Sequence, residues 1–283
     1  MTEPIVSHGG HGLPFSKGLT AQSLSASGLS PPRAFELARE VERRLLADGT
    51  SEIDLAGLRE LTGEVLLAAE GEGALRRWRS WSGLDRLDPP LIVLIGGAAG
   101  VGKSTLASML AARLGITRVI ATDVIRQVLR SFFTAEAVPA VHASAFELDL
   151  EGFAEQTELV VTGTSAIVER ACQERTPIVV EGVHAVPGTL GQELLDRCVA
   201  VEAMLVVSDE DLHRGHFTLR GAARPAERYL THFTEIRALQ DHLTECAHAK
   251  GVAVIENRGA DDALQRLMEL VLDTAGERQD SSG

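Results

Sequence analysis

The chain has 283 residues, of which 45% are hydrophobic and 4% aromatic, and its formal net charge is −13. This length suits one large domain or two smaller ones with largely aliphatic cores. The negative charge argues against nucleic acid as a partner, because phosphate backbones bind to basic surfaces. A membrane span is also excluded, since no apolar run approaches the roughly 18 residues that one needs.

The N-terminus and the cysteines favour a cytoplasmic protein. No Lys or Arg precedes Lys17, and no apolar segment typical of a signal peptide follows. Cys172, Cys198 and Cys246 are scattered without the spacing of metal ligands, as expected of reduced thiols.

The first part of the chain predicts a small helical domain over residues 1–88. Residues 7–12 are predicted to form a loop, and a compact segment begins at residues 14–19, where Lys17 is a candidate phosphate contact. Two helix faces follow, formed by Ala34, Leu37, Ala38, Val41 and Leu45 and by Leu58, Leu61, Val65, Leu66 and Ala69. The stiff connection Asp88-Pro89-Pro90 then leads into the next domain.

Residues 97–104 read Gly-Ala-Ala-Gly-Val-Gly-Lys-Ser and match the Walker A pattern G-x-x-x-x-G-K-[ST] of a phosphate-binding P-loop. A buried strand is predicted before this motif, over residues 91–95, and a helix after it that ends at Gly115. We expect a nucleoside triphosphate to bind this loop through Gly97, Ala98, Ala99, Gly100, Val101, Gly102, Lys103, Ser104 and Thr105. Lys103 is predicted to reach the β- and γ-phosphates, and the Ser104 hydroxyl to ligate Mg²⁺.

From residue 89 to residue 276, apolar strands alternate with helical stretches. Strands are predicted over residues 91–95, 119–122, 178–181, 204–207 and 252–255, with a long helix over about 153–174, another opened by Pro225, and a closing helix. This alternation predicts an α/β domain with a five-stranded parallel sheet and helices on both faces. The polar residues 277–283 are predicted to be a disordered tail.

Two carboxylates are predicted to lie close to the P-loop, because the carboxyl ends of parallel strands face one crevice. Asp123 follows the second predicted strand, and Arg126 lies one helical turn later, where it can clamp an anion. Asp123 is a candidate for the group that accepts the proton of an attacking hydroxyl, and the alternative is that it only caps the next helix. Glu181 ends a strand of Walker B type, in which Asp is usual, and is a candidate metal ligand, directly or through water. His184 is predicted to be a loop histidine rather than a catalyst.

An arginine-rich stretch follows the fourth predicted strand. It contains His213, Arg214, His216, Arg220, Arg224 and Arg228. In an acidic protein this cluster favours a lid that brings Arg220 and Arg224 to the phosphates, and the alternative is a solvated helix face. Asn257, just past the last strand, is a candidate adenine contact or a simple turn residue.

Missing features narrow the function. No Asn-Lys-x-Asp guanine-reading motif follows the P-loop, which disfavours a GTPase, and no long basic face indicates a helicase or a nucleic-acid kinase. A small-molecule kinase is the prediction that remains, and a small anionic substrate is compatible with it because a local arginine cluster can outweigh the negative net charge.

Four segments together resemble the 2-phosphoglycerate kinase family. They are the P-loop region 95–105, residues 122–126, residues 180–188, and Arg228-Tyr229-Leu230 with Ile236-Arg237. The N-terminal segment Pro-Phe-Ser-Lys-Gly-Leu, residues 14–19, resembles the ATP-cone module that precedes the kinase domain in that family. The resemblance implies an adenylate-kinase-like fold and transfer of phosphate from ATP to the 3-hydroxyl of 2-phosphoglycerate. It also implies acceptor-side positions for Asp123 and Arg126.

Two alternatives stay open. Fold and P-loop do not fix the acceptor, so the chain is alternatively a kinase for another phosphorylated or carboxylated metabolite. The other alternative is a nucleotide-sensing regulator without chemistry, against which Asp123 and the arginine cluster argue, because a sensor needs no acceptor site.

Overall fold

The computed structural model describes residues 4–8, 10–25, 28–47, 49, 51–82, 89–219 and 226–280. The chain divides into two compact units, which consist mainly of residues 1–86 and residues 87–283. Among the described residues, every helix is too short or too polar to cross a membrane.

The first unit combines a small sheet with three helices. Its elements are β1 (Ile5–His8), β2 (His11–Pro14), α1 (Lys17–Ser25), α2 (Pro31–Ala47), β3 (Glu52–Asp54) and α3 (Leu55–Ser82). Strand β1 lies in the middle, antiparallel to β2 and parallel to β3. The three helices bury one apolar cluster, in which the predicted face of α2 is included, and the Trp78 indole N–H donates to Ser23 Oγ at 2.9 Å.

The three-stranded sheet corrects the prediction of a purely helical unit with a loop over residues 7–12. His8 pairs with His11 across a tight hairpin, and Gly10 in the connection has a φ of 82°, a left-handed conformation that glycine adopts readily. The strands are three or four residues long and carry few apolar residues, so they lack the alternation by which a strand is recognised, and glycines at positions 9, 10 and 12 are typical of a loop.

The second unit contains the predicted five-stranded parallel sheet, which the structure confirms. Its strands are β4 (Leu91–Gly96), β5 (Val119–Ala121), β6 (Ile178–Glu181), β7 (Val199–Val206) and β8 (Ala253–Glu256). They lie in the order β5-β6-β4-β7-β8, and all four pairings are parallel. All residues of β4 are buried, because helices cover both faces of the sheet at its centre.

The helices of this unit connect the strands in right order for such a sheet. They are α4 (Lys103–Leu114), α5 (Thr122–Phe132), α6 (Pro139–His142), α7 (Leu150–Gln173), α8 (Gln192–Leu195), α9 (Glu210–Leu219), α10 (Ala226–Thr231), α11 (Phe233–Ala249) and α12 (Ala260–Asp280). In α7, Val168 and Ala171 pack against Ile92 of β4 and Ile178 of β6. In α11, Leu243 and Ala247 belong to a second buried cluster.

Several boundaries differ from the prediction. Strand β7 begins at Val199 rather than at residue 204, and the helix expected to start at Pro225 is two helices, α10 and α11, with Pro225 outside the described residues. Helix α12 extends to Asp280, so the segment predicted as a tail from residue 277 begins within a helix.

The register of the sheet places the ends of three strands side by side. Glu181 at the end of β6 pairs with Ile95 of β4 on one side and with Ala121 of β5 on the other. The P-loop leaves β4 directly after Gly96, and Asp123 lies two residues beyond Ala121. One edge of the sheet therefore carries the P-loop, Glu181 and Asp123 together.

Candidate active site

A cavity of about 690 Å³ lies at this edge of the sheet. It is lined by the P-loop and the start of α4, by the end of β6, by α5 with the segment before α7, and by residues of α9, α10 and α11. The lining residues that carry charge are Lys103, Asp123, Arg126, Glu181 and Arg228. The sequence had singled out all five.

The P-loop has a backbone that favours glycine at three of its positions. Gly97, Gly100 and Gly102 have φ values of 146°, 85° and 93°, and a Cβ on Gly102 would lie 2.5 Å from Asn257 Nδ2. The same Asn257 amide donates to Val101 O at 2.8 Å, and the side chain is 6% exposed. Asn257 therefore supports the loop from behind, and an adenine contact of this residue stays a prediction.

Lys103 and Ser104 open helix α4 at the cavity. Lys103 Nζ donates to Ala98 O at 2.7 Å, across the mouth of the loop. Ser104 Oγ donates to Glu181 Oε1 at 2.8 Å, so the two candidate metal ligands are in direct contact. The hydroxyl and the carboxylate supply the hard oxygen ligands that a divalent cation such as Mg²⁺ prefers.

Asp123 lies in the first turn of α5 with its carboxylate in the cavity. Ala121 occupies the N-cap position, and no side chain caps this helix, so capping is not the role of Asp123 in the structure. The Asp123 side chain is 62% exposed, and Arg126 Nε lies 3.4 Å from its Oδ1.

The Arg126 guanidinium is held in one orientation. Its Nη1 donates to Ala143 O at 2.8 Å and to Val141 O at 3.2 Å, and its side chain is only 14% exposed. A guanidinium fixed in this way presents its remaining N–H groups without losing much side-chain freedom when an anion binds.

Of the predicted lid arginines, Arg220 and Arg224 lie outside the described residues. Arg228 is described and lines the cavity, where it donates to Glu147 Oε1 at 2.6 Å and to Ser144 Oγ at 3.0 Å. The Glu147 side chain holds the pKa of Arg228 above its usual value. Arg214 does not reach the cavity and instead stacks on the Phe233 ring, 3.8 Å from its centroid.

Two histidines of α9 hold the P-loop in place. His213 Nε2 donates to Ala99 O and His216 Nδ1 donates to Gly100 O, each at 2.8 Å. The sequence does not predict this contact. The available signal is that His213 and His216 are three residues apart, on one face of a helix that follows β7, and β7 is the neighbour of the P-loop strand β4. Within the described part of the chain, no group of three or more His, Cys, Asp or Glu side chains could hold a metal.

His184 lies in the turn after β6, where its side chain is buried behind the cavity. It is 1% exposed and contacts Thr122 and Gln156. Burial lowers the pKa of His184 to about 4, and the positive charges of Arg126 and Lys103 act in the same direction, whereas Asp123 opposes them.

This shift predicts a pH dependence of stability. Because the folded pKa is below the usual 6.5, the unfolded chain takes up a proton first as the pH falls from 6.5 to about 4. The free energy of unfolding therefore has its full value above pH 6.5. It falls by roughly 3 kcal/mol as the pH decreases from 6.5 to about 4, at about 1.4 kcal/mol per pKa unit. Urea unfolding at several pH values measures this.

A His184→Gln variant should show a smaller slope of the free energy of unfolding over this window, because the titrating group is gone. Replacement of the exposed His248 by Gln should leave the slope as it is in the unchanged protein. Equal slopes in the His184→Gln variant and the unchanged protein would contradict the expectation.

The sheet order, a P-loop on its central strand and a carboxylate–arginine pair across the cavity define a P-loop kinase, an ATP-dependent phosphotransferase. Two 2-phosphoglycerate kinases are similar over most of the chain. That of Methanopyrus kandleri is 36% identical over 275 residues, 92% of this chain and 84% of that protein. That of Methanothermobacter thermautotrophicus is 37% identical over 262 residues, 86% of this chain and 85% of that protein. The chain belongs to the 2-phosphoglycerate kinase family.

Two further similarities are more distant. A family model described as Zeta toxin matches residues 80–186, which include the P-loop and β6. A solved gluconokinase from Sinorhizobium meliloti 1021 superposes with a TM-score of 0.45 at 17% identity, and the match covers 69% of this chain and 99% of that one.

Proposed function

We propose that the protein transfers the γ-phosphate of ATP to the 3-hydroxyl of 2-phosphoglycerate, which gives 2,3-bisphosphoglycerate and ADP. The observation that carries the proposal is that one cavity holds Lys103 on one wall and the Asp123–Arg126 pair on the other. The relatives named 2-phosphoglycerate kinase support this choice of acceptor.

On the donor side, the backbone N–H groups from Gly97 to Thr105 bind the β- and γ-phosphates at the N-terminus of α4. Lys103 leaves Ala98 O and neutralises charge that develops on the transferred group. Ser104 and Glu181 fit Mg²⁺, with Glu181 as a direct ligand or through a water, and the ion would neutralise charge on the phosphate oxygens.

On the acceptor side, Asp123 accepts the proton of the 3-hydroxyl. At the same time the hydroxyl oxygen forms a bond to the γ-phosphorus, and the bond between that phosphorus and ADP breaks. Arg126 and Arg228 bind the phosphate and the carboxylate of the acid, since both guanidinium groups line the cavity in fixed orientations. Arg220 and Arg224 remain predicted lid residues that add positive charge once ATP is bound.

An acceptor screen tests the proposal. The purified full chain is incubated with ATP and Mg²⁺ together with 2-phosphoglycerate, 3-phosphoglycerate or glycerate, and ADP and product mass are measured. We expect ADP and a bisphosphorylated product in equal amounts with 2-phosphoglycerate. Turnover with a different acid only would mean a kinase for another metabolite, and no turnover with any acid would favour a nucleotide sensor.

Arg126 is expected to determine acceptor affinity. Arg126→Ala should lower kcat/KM for 2-phosphoglycerate at least about tenfold, because charge-assisted hydrogen bonds contribute about 1.5–3 kcal/mol each. The KM for ATP should change little, since the P-loop makes its own contacts. Steady-state kinetics with each substrate varied in turn measure both effects.

Arg126→Lys should restore only part of the loss, because an ammonium cannot form two parallel bonds to an anion. Arg130→Ala, one turn further along α5 and outside the cavity lining, is the matched control and should have little effect on kcat/KM. An equal rise in the KM for ATP and for the acceptor would place Arg126 on the donor side instead.

We further propose that residues 1–88 form an ATP-cone-like module that makes turnover respond non-hyperbolically to ATP, with Lys17 as a phosphate contact. Lys17 lies at the start of α1, and its Nζ is 2.7 Å from Glu42 Oε1, a carboxylate that an incoming phosphate can displace. Lys17→Ala should make the response to ATP hyperbolic. Glu42→Gln breaks the same ion pair but should keep the non-hyperbolic response, and a hyperbolic response of the unchanged protein would refute the proposal.

A further inference from the structure

Three buried polar side chains form a chain of hydrogen bonds behind the acceptor wall of the cavity. They are Thr122 at the start of α5, His184 after β6 and Gln156 in α7, and each is at most 1% exposed. Thr122 Oγ1 lies 3.0 Å from His184 Nδ1, and His184 Nε2 lies 2.8 Å from Gln156 Oε1. None of the three lines the cavity.

Gln156, the last of the three residues, determines which group donates in each hydrogen bond. Gln156 Nε2 donates to Ala140 O and, at 3.2 Å, to Ala143 O, so its Oε1 is free to accept. His184 therefore carries its proton on Nε2 and donates to Gln156. Its Nδ1 then accepts from the Thr122 hydroxyl, which fixes the neutral imidazole in one tautomer.

Both ends of this chain meet the residues of the acceptor side. Thr122 precedes Asp123 directly in the first turn of α5. Ala143 O, which accepts from Gln156, also accepts from Arg126 Nη1 at 2.8 Å. The approach at Thr122 is close, since a Cβ on Gly182 would lie 1.8 Å from Thr122 Oγ1.

We propose that Thr122, His184 and Gln156 act together as positioning residues that set the Asp123 carboxylate and the Arg126 guanidinium at the geometry needed for the acceptor. Loss of one member leaves buried donors or acceptors without partners, and the start of α5 and the 140–143 segment must shift to satisfy them. Small displacements of this kind are costly in catalysis, and about 1 Å is enough to lower the rate about 100-fold. The inference rests on the proposed roles of Asp123 and Arg126.

A pair of substitutions at Thr122, made in the full-length protein, tests this positioning role. Thr122→Val removes the hydroxyl at nearly constant shape and should lower kcat/KM for 2-phosphoglycerate about 10- to 100-fold, while the KM for ATP changes less than about twofold. Thr122→Ser keeps the hydroxyl and should restore most of the activity. Thr164→Val is the matched control, because Thr164 is also buried but donates to Val160 O within α7, and its activity should stay normal.

A structural role alone predicts another pattern. It would lower the melting temperature of Thr122→Val with normal kcat/KM, or lower activity equally in the Val and Ser variants. Either result, or an equal rise in the KM for both substrates, would overturn the proposal.

Nitrogen NMR of the histidine and arginine side chains gives a test that does not depend on turnover. We expect a neutral His184 with Nε2–H, and Thr122→Val should shift the signals of His184 Nδ1 and Arg126 Nε, whereas Thr164→Val should leave both in place. A proton on His184 Nδ1, or an unmoved Arg126 signal, would refute the positioning role of the three residues even in an active kinase. Conversely, if the unchanged protein fails to phosphorylate 2-phosphoglycerate but the Thr122→Val variant shows these shifts, the proposed function is refuted and the positioning role of the three residues is supported.

Discussion

Replacement of Lys103 by alanine is expected to lower kcat by at least about 10²- to 10³-fold, the cost of losing one positioned donor to a transition-state oxygen. Lys103 is the cation of the P-loop, and its Nζ lies at the mouth of the loop, 2.7 Å from Ala98 O. Because phosphoryl transfer depends almost entirely on positioning and on charge, the loop without this charge should bind nucleotide but turn it over slowly. Single-turnover kinetics measure the loss of kcat, and the melting temperature shows whether the variant keeps its fold.

Lys250→Ala is the control for this variant. Lys250 is an exposed residue at the end of α11 and lies outside the cavity lining, so its loss should change neither kcat nor stability appreciably. Nearly normal turnover in a folded Lys103→Ala protein would exclude the proposed role of the P-loop.

Replacement of Asp123 by asparagine should lower kcat about 10²- to 10⁴-fold, as is typical for loss of a general base. Asparagine keeps the size and a hydrogen-bonding oxygen but cannot accept the hydroxyl proton. The melting temperature should hardly change, because the Asp123 side chain is largely exposed and caps no helix. Kinetics and thermal unfolding on the same preparation decide the question.

Asp149→Asn makes the same chemical change at a helix start where the side chain does cap, since Asp149 Oδ1 accepts from Gly152 N at 2.9 Å. This control should keep its activity, because asparagine is a good N-cap residue. A strong loss of stability with high residual activity in Asp123→Asn would mean that the residue serves the fold and not the reaction.

The sequence was sufficient wherever the signal was local. The P-loop with its strand and helix, β6 up to Glu181, and the long helix α7 are all continuous segments whose apolar pattern or glycine spacing is complete within a few residues. Parallel order then brought Asp123 and Glu181 to the P-loop, because strand ends of such a sheet share one edge.

The remaining contacts depend on residues far apart in the chain. The bonds from His213 and His216 to the P-loop carbonyls join positions more than a hundred residues apart, and periodicity carries no information about such pairs. The ion pair of Arg228 with Glu147 was likewise out of reach. The segment between α5 and α7 contains only a short helix and one 3-10 turn, which show no period long enough to recognise.

The two sides of the cavity come from separate stretches of the chain. Apart from residues 181–183 and from residues of α9, α10 and α11, the cavity is lined by two stretches, residues 121–146 on the acceptor side and residues 99–104 on the phosphate-binding side. We therefore expect substitutions within residues 121–146, other than at Asp123, to change the preference for the acceptor while the P-loop contacts to ATP stay in place. In a fold divided in this way the acceptor-binding stretch can change independently of the P-loop, which is a physical reason why one fold can serve many acceptors.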